Sequence, residues 1–292
     1  MKKRKVLFAA ALLALLTPIT ALTACHRDTS PTLFESNSEI SAILPDAEAP
    51  PANSDSTLDS SPSQPENTPE TPPEITPVPP VIQTESYIRC TGDNVNLRSG
   101  AGTGYSVLGK AEKNTAYVVL GKTGDWYKTY YRGNVAYISA SYVSVFTLEK
   151  AESATESVLG EGYKLIGVPY VYGAVRLHDG KGNLLKGFTA QKFDCSSLVQ
   201  YVFYQGAGKL LDVTTRTQVK QGKHVPRSEL QRGDCIYFTN EERQYKTGTE
   251  RIGHVAIYLG DNYILHTASD YARIEKMTAK RWSFYVEARR FL

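Results

Sequence analysis

The sequence predicts an α+β fold over residues 150–292, preceded over residues 86–147 by a small all-β unit. Three observations predict it. Helical apolar spacing comes first in the later segment, at 152–167 and again from Cys195. Four strand-like runs then follow without a helix-length pattern between them, which is the order of an α+β domain with an antiparallel sheet. Before both, short apolar and aromatic runs alternate with glycine and Asn/Asp turn signals, the mark of a small barrel.

The chain opens on Lys2, Lys3, Arg4 and Lys5, an apolar run from Val6 to Leu16, and "LTAC" at 22–25. A charged start, a short apolar core and small residues before a cut site describe an export signal over residues 1–24. The segment resembles a bacterial lipoprotein signal, which implies cleavage before Cys25, lipidation of Cys25 and anchoring to the outer face of the cell membrane. Of the four cysteines, Cys90, Cys195 and Cys235 remain, too few for a disulfide scaffold. No CxxC or HExxH spacing occurs, so neither a metal nor another cofactor is expected.

Residues 25–85 read as a disordered linker. Eleven of the 15 prolines lie between Pro45 and Pro80, and Asp28 to Glu85 holds 11 acidic residues with no Lys or Arg. Such a segment buries too little apolar surface to offset its ordering entropy, and proline with like charge keeps it extended. At about 3 Å per residue it would reach more than about 100 Å, enough to carry a folded unit into a cell wall. From residue 86 onward 28 Lys and Arg face 19 Asp and Glu. A basic folded part suits an anionic envelope. Nucleic acid is not expected as a partner, since the chain reads as exported and has no nucleic-acid motif. A monomer is expected.

Within 86–147, turns are marked by Gly121, Gly124–Asp125 and Gly133–Asn134. "NVNLRSGAGTGYSVLGKAEKN", "GDWYKTYY" and "GNVAYISASYV" resemble the bacterial SH3-type domain, in Asn96, Leu97, Arg98 and Gly100, then Gly124, Trp126 and Tyr127, then Ala136 to Ile138 with Tyr142. The resemblance implies a barrel that binds wall peptide or shapes the entrance of a neighbouring active site.

In 150–292 the first helix is expected to end at Gly167. A second starts at Cys195 with Leu198, Val199, Val202 and Phe203 on one side, and a short third stops at Gly222. Strands are expected at 235–238, 254–259, 263–268 and 284–291. The informative residue is Cys195. A helix start favours an anion, and Asp194 or Ser196 can cap it. A thiolate is the nucleophilic form of cysteine, so the sequence predicts an ionised, accessible sulfur here. His254 and His266, 12 residues apart across a turn at Gly260–Asp261–Asn262, are expected on adjacent strands and on one face beside that helix start. Nucleophile, base and orienter follow as Cys195, His254 and His266. Cys235 lies within an apolar strand and makes a poor rival.

"GVPYVYGA", "FDCSSLVQYVF", "TTRTQVKQGKHV", "LQRGDCIYF", "GHVAIYLGD" and "NYILHTAS" occur in that order and resemble the NlpC-type peptidoglycan cysteine peptidases. The resemblance implies a papain-like fold and cleavage of an amide bond in peptidoglycan stem peptides, usually γ-D-glutamyl–diamino acid, through an acyl-thioester. It implies catalytic places for Cys195, His254 and His266, and substrate contacts at Asp194, Ser196 and Tyr170. Residues 175–191 look inserted relative to that family, and Ser197, Tyr172, Ala174 and Cys235 depart from its usual residues. Two other readings stay open: a catalytically silent wall-binding lipoprotein, and a papain-like N-acetylmuramoyl amidase or acyltransferase.

Overall fold

The computed structural model describes residues 81–268 and 270–292. The expected lipidated Cys25, the export signal and nearly all of the linker lie outside the described residues. Among the described residues no helix is long and apolar enough to cross a membrane.

Eight strands come first: β1 (Thr84–Cys90), β2 (Val95–Arg98), β3 (Val107–Ala111), β4 (Ala116–Val118), β5 (Gly121–Thr123), β6 (Trp126–Tyr131), β7 (Asn134–Ser139) and β8 (Val143–Glu149). Strands β3-β2-β7-β6-β5 form one antiparallel sheet. The hairpin from β6 to β7 turns on Arg132 and Gly133, both at positive φ. Leu97, Ala136 and Ile138 alternate inward along their strands and are buried.

Helix α1 (Ser153–Lys164) follows, then the long loop that holds the inserted segment, then α2 (Cys195–Ala207) and α3 (Thr215–Gln218). The remaining elements are β9 (Lys223–Val225), β10 (Cys235–Phe238), β11 (His254–Gly260), β12 (Tyr263–Ala268), β13 (Tyr271–Lys276), α4 (Ala279–Ser283) and β14 (Tyr285–Arg290). The fold is α+β as the sequence predicts, and four of these strands stand where expected to within a residue or so. Strands β9 and β13 and helix α4 were not anticipated.

The larger sheet runs β8-β1-β4-β13-β12-β11-β10-β14-β9. It is therefore continuous from the first all-β segment into the later one, joined at the antiparallel pair Ala116↔Ile274. A second tie is buried Arg232. It donates to Glu156 Oε1 at 2.6 Å on α1, to the Tyr87 hydroxyl at 2.7 Å on β1, to the Tyr163 hydroxyl at 2.8 Å and to the Leu259 carbonyl at 2.9 Å. A third is Arg132, whose Nε donates to the Gly167 carbonyl at 2.7 Å while its amide donates to the Ile166 carbonyl.

One face of the sheet packs against α1 and α2 through Val255, Ile257, Leu265 and Ile274 with Leu198, Val199 and Val202. The helices approach closely because Gly206 has no side chain: a Cβ there would sit 2.5 Å from Val158 Cα. The opposite face carries a smaller cluster, Ile236, Phe238, Ala256, Ile264, Met277 and Ala288, under α4.

Candidate active site

Local sequence fixes where the sulfur sits. Asp194 has extended backbone and caps α2: its Oδ1 accepts from the Ser197 amide at 2.8 Å, while Ser197 Oγ accepts from the Asp194 amide at 2.9 Å. This reciprocal capping box starts the helix at Cys195. The helix ends on Gly208 at φ 62°, a left-handed cap. Cys195 is thus the first helical residue, and three nearby backbone amides favour its sulfur as an anion: that of Val255, that of Ser196 and its own.

Val255 follows His254, so the sulfur meets β11 at its first residues. The β11–β12 register runs from Ile257↔Leu265 to Gly260↔Tyr263, with Asp261 and Asn262 at positive φ in the turn. Continuing that register sets His266 opposite Ala256, two residues from His254, so both rings take the same face. They meet with His254 Nε2 at 2.9 Å from His266 Nδ1. By strand parity this is the face of Phe238 and Ala256, whereas α2 covers the other. The sulfur reaches β11 edge-on, at the Val255 amide, beyond the end of the ladder with β12.

Beyond His266 lies a residue the sequence reading missed. His266 Nε2 is 3.1 Å from Glu275 Oε1 on β13, and Glu275 is held in turn by Arg281 at 3.2 Å. His266 is fully enclosed. Burial first, then the neighbouring His266 and Arg281, push His254 well below the usual imidazole range. Burial also pushes His266 down, although Glu275 pulls the other way. Both rings are therefore neutral at pH 7.

One expectation is overturned. Cys195 is only 9% exposed. Burial, and next the adjacent Asp194 charge, push its thiol up to about 12, against the three amides that favour the anion. At rest Cys195 is therefore a thiol, not a preformed thiolate, and the neutral His254 precedes the residue whose amide the sulfur meets. The helix tip does favour the anion, as expected, but desolvation is the larger effect here.

The expected substrate contacts are also placed differently. Asp194 and Ser196 are 4% exposed and engaged internally. Arg176, from the inserted segment, donates to Asp194 Oδ2 at 3.0 Å and to Ser196 Oγ at 3.2 Å, and Ser196 donates to Asp194 Oδ1 at 3.0 Å. Arg176 also bonds the Val213 and Ala174 carbonyls. The start of the segment is packed down, with Leu177 and His178 buried and His178 against Tyr204, whereas residues 183–187 are exposed. Tyr170 does stand next to Cys195 and Asp194: burial first, then these two neighbours, move its phenol up to about 12, so it remains an O–H donor. Cys235 is enclosed in β10, and burial pushes its thiol well up. Cys90 is buried in β1, its thiol against the Gly92 carbonyl.

Residues 167–290 match the NlpC/P60 family. The chain carries an NlpC/P60 domain. A bacterial SH3 domain matches residues 93–144 ahead of it. The gamma-DL-glutamyl hydrolase of Bacillus subtilis is 34% identical over 150 residues, 50% of this chain and 32% of that protein. Peptidoglycan endopeptidase RipB of Mycobacterium tuberculosis is 32% identical over 42% of this chain and 47% of its own length. The murein DD-endopeptidase MepS/murein LD-carboxypeptidase of Escherichia coli is 38% identical over 37% of this chain and 54% of its own length. The chain thus spans about a third to a half of the length of these relatives.

The neutral histidines set a pH dependence of stability. Each ring binds a proton in the unfolded chain below its ordinary value of 6.5 but stays bare when folded. The unfolded state then binds more protons, so stability is full above about pH 6.5 and falls as pH drops below it. The expected loss is about 1.4 kcal/mol per pH unit for each ring until the folded ring protonates. Urea midpoints measured from pH 7.5 to 5 should fall; a flat profile would contradict buried neutral rings.

Proposed function

We propose that the protein is a cell-wall hydrolase that cleaves an amide bond in peptidoglycan stem peptides, with Cys195 as nucleophile, His254 as base and His266 as its orienter. The observation that carries this reading is the 2.9 Å His254–His266 bond at the strand start whose next amide touches the Cys195 sulfur. His254 accepts the thiol proton as the sulfur attacks the carbonyl carbon. The Cys195 amide, at the helix start, and the Tyr170 hydroxyl are donors for the oxyanion. The C–N bond then breaks, and the proton on His254 leaves with the amine. Water, deprotonated by His254, attacks the thioester and frees the carboxylate, restoring the thiol.

Because Cys195 and His254 are both neutral at rest, proton transfer accompanies attack rather than preceding it. The bond proposed is γ-D-glutamyl–diamino acid, in keeping with the glutamyl bond in the name of the B. subtilis relative. The lipid anchor at Cys25, action outside the membrane and a monomeric state belong to the same proposal. Mass spectrometry of a purified wall digested by the full chain tests the bond. New D-glutamyl carboxyl ends and new diamino-acid amines are expected; D-Ala–diamino acid cleavage, or release of lactyl ends, would replace this assignment.

One observation favours the binding-only reading, the burial of Cys195. A protein that binds wall but yields no soluble fragment on prolonged digestion would bear that reading out.

A further inference from the structure

We propose that Glu275 is a positioning residue that fixes the tautomer of both His266 and His254, and so decides which His254 nitrogen keeps the lone pair that can take the thiol proton. The inference rests on the hydrolase reading above and adds a residue to it. An ionised carboxylate only accepts hydrogen bonds. Burial works to raise the Glu275 carboxyl, but the bond from His266 and the Arg281 and Arg273 charges outweigh it and hold it below the ordinary carboxylate range. Glu275 is therefore an anion at every working pH. Its partner 3.1 Å away, His266 Nε2, must carry the proton of that ring.

The rest follows by exclusion. A neutral imidazole has one N–H and one lone pair. With Nε2 protonated, His266 Nδ1 is the acceptor of the 2.9 Å bond, so His254 Nε2 must be its donor. His254 then holds its lone pair on Nδ1, the one ring nitrogen left to take a thiol proton. Without the carboxylate, His266 is free to carry its proton on Nδ1 and donate to His254 Nε2. That would put the His254 proton on Nδ1 and remove the base. During attack the Cys195 proton moves to His254 Nδ1, both ring protons stay in place, and Glu275 takes none.

The charged surroundings keep this arrangement one-sided. Strand β13 presents Glu275 and Arg273, and Arg273 is itself paired with Asp270 and Glu112. Helix α4 presents Arg281, β12 and β11 present the two rings, and α2 presents Cys195 beside Asp194, whose charge is matched by Arg176. No second carboxylate among the described residues bonds either ring.

Proton–nitrogen correlation spectra of the full chain with ¹⁵N-labelled histidine report which ring nitrogen carries each proton. Both rings are expected as Nε2–H at pH 7. Glu275→Gln, which can turn its amide N–H toward His266, is expected to lose that uniform state. Its kcat should fall roughly 10- to 100-fold with KM little changed, and Glu275→Asp should recover part of the loss. If the Gln variant does not fold, the wild-type spectrum decides alone. A wild-type His266 protonated on Nδ1, or a folded Gln variant with unchanged tautomers and kcat, would overturn the proposal. The spectra need no substrate, so the two readings separate. Wall cleavage with the wrong tautomers would sink only this inference, and the expected tautomers without any cleavage would sink only the hydrolase reading.

Discussion

His254→Ala is expected to lower kcat on muropeptides by about 10²- to 10⁴-fold, the range for loss of a positioned general base. The effect should fall on kcat, because His254 reaches substrate only through the proton it exchanges with the Cys195 sulfur and the leaving amine. The size of the loss follows from the resting state. With the thiol up near 12, almost no thiolate exists at neutral pH without a base to take its proton. The activity left in His254→Ala should rise steadily with pH as hydroxide replaces the imidazole, whereas the wild type should be flat across neutral pH. A variant within a factor of about three of wild type, or one without the alkaline rise, would show that the ring is not the base.

Arg232→Ala is expected to cost about 3–5 kcal/mol of stability, the range for removing one partner of a buried ion pair. The guanidinium side chain is 5% exposed and meets Glu156, two tyrosine hydroxyls and a strand carbonyl. Removing it leaves Glu156 without its cation, the Tyr87–Tyr163 hydroxyl pair at 2.5 Å without its shared donor, and a space in the junction of β1, α1 and β11. Arg232→Lys should recover only part, because one ammonium cannot reproduce this fan of donors. The loss should appear in a single urea transition, since Arg232 ties β1, α1 and β11 together. Two separated transitions, or a loss below about 1 kcal/mol, would contradict the junction described.

The start of α2 was legible in "FDCSS" because capping is local chemistry: Asp194 is the cap as expected, although Ser197 and not Ser196 completes the box. The histidine pair was legible because a 12-residue spacing across a Gly-Asp-Asn turn leaves few registers. Strand β13 was not. In "YARIEK" the inward residues are Ala272 and Ile274, and the charged Arg273 and Glu275 between them read as a loop. The period of two was present, but charge on the alternate face hid it, and one of those charges, Glu275, is the partner of His266. The thiol's burial was also out of reach. A helix start argues for an anion, while desolvation depends on β11 and the packed loop, which lie 60 residues apart or more in the chain. Nothing local showed that Arg176 would fold back onto Asp194 and Ser196. The continuity of the sheet through Ala116↔Ile274 was likewise invisible, since a single antiparallel pair has no sequence mark.

The central claim is that the sulfur of Cys195, and no other, attacks a stem-peptide amide. The most direct test is release of soluble fragments from purified wall by Cys195→Ala and, in parallel, Cys235→Ala. No fragments above background are expected from the first and near wild-type release from the second, both folded by their urea transitions. Wall cleavage that survives in Cys195→Ala would contradict it.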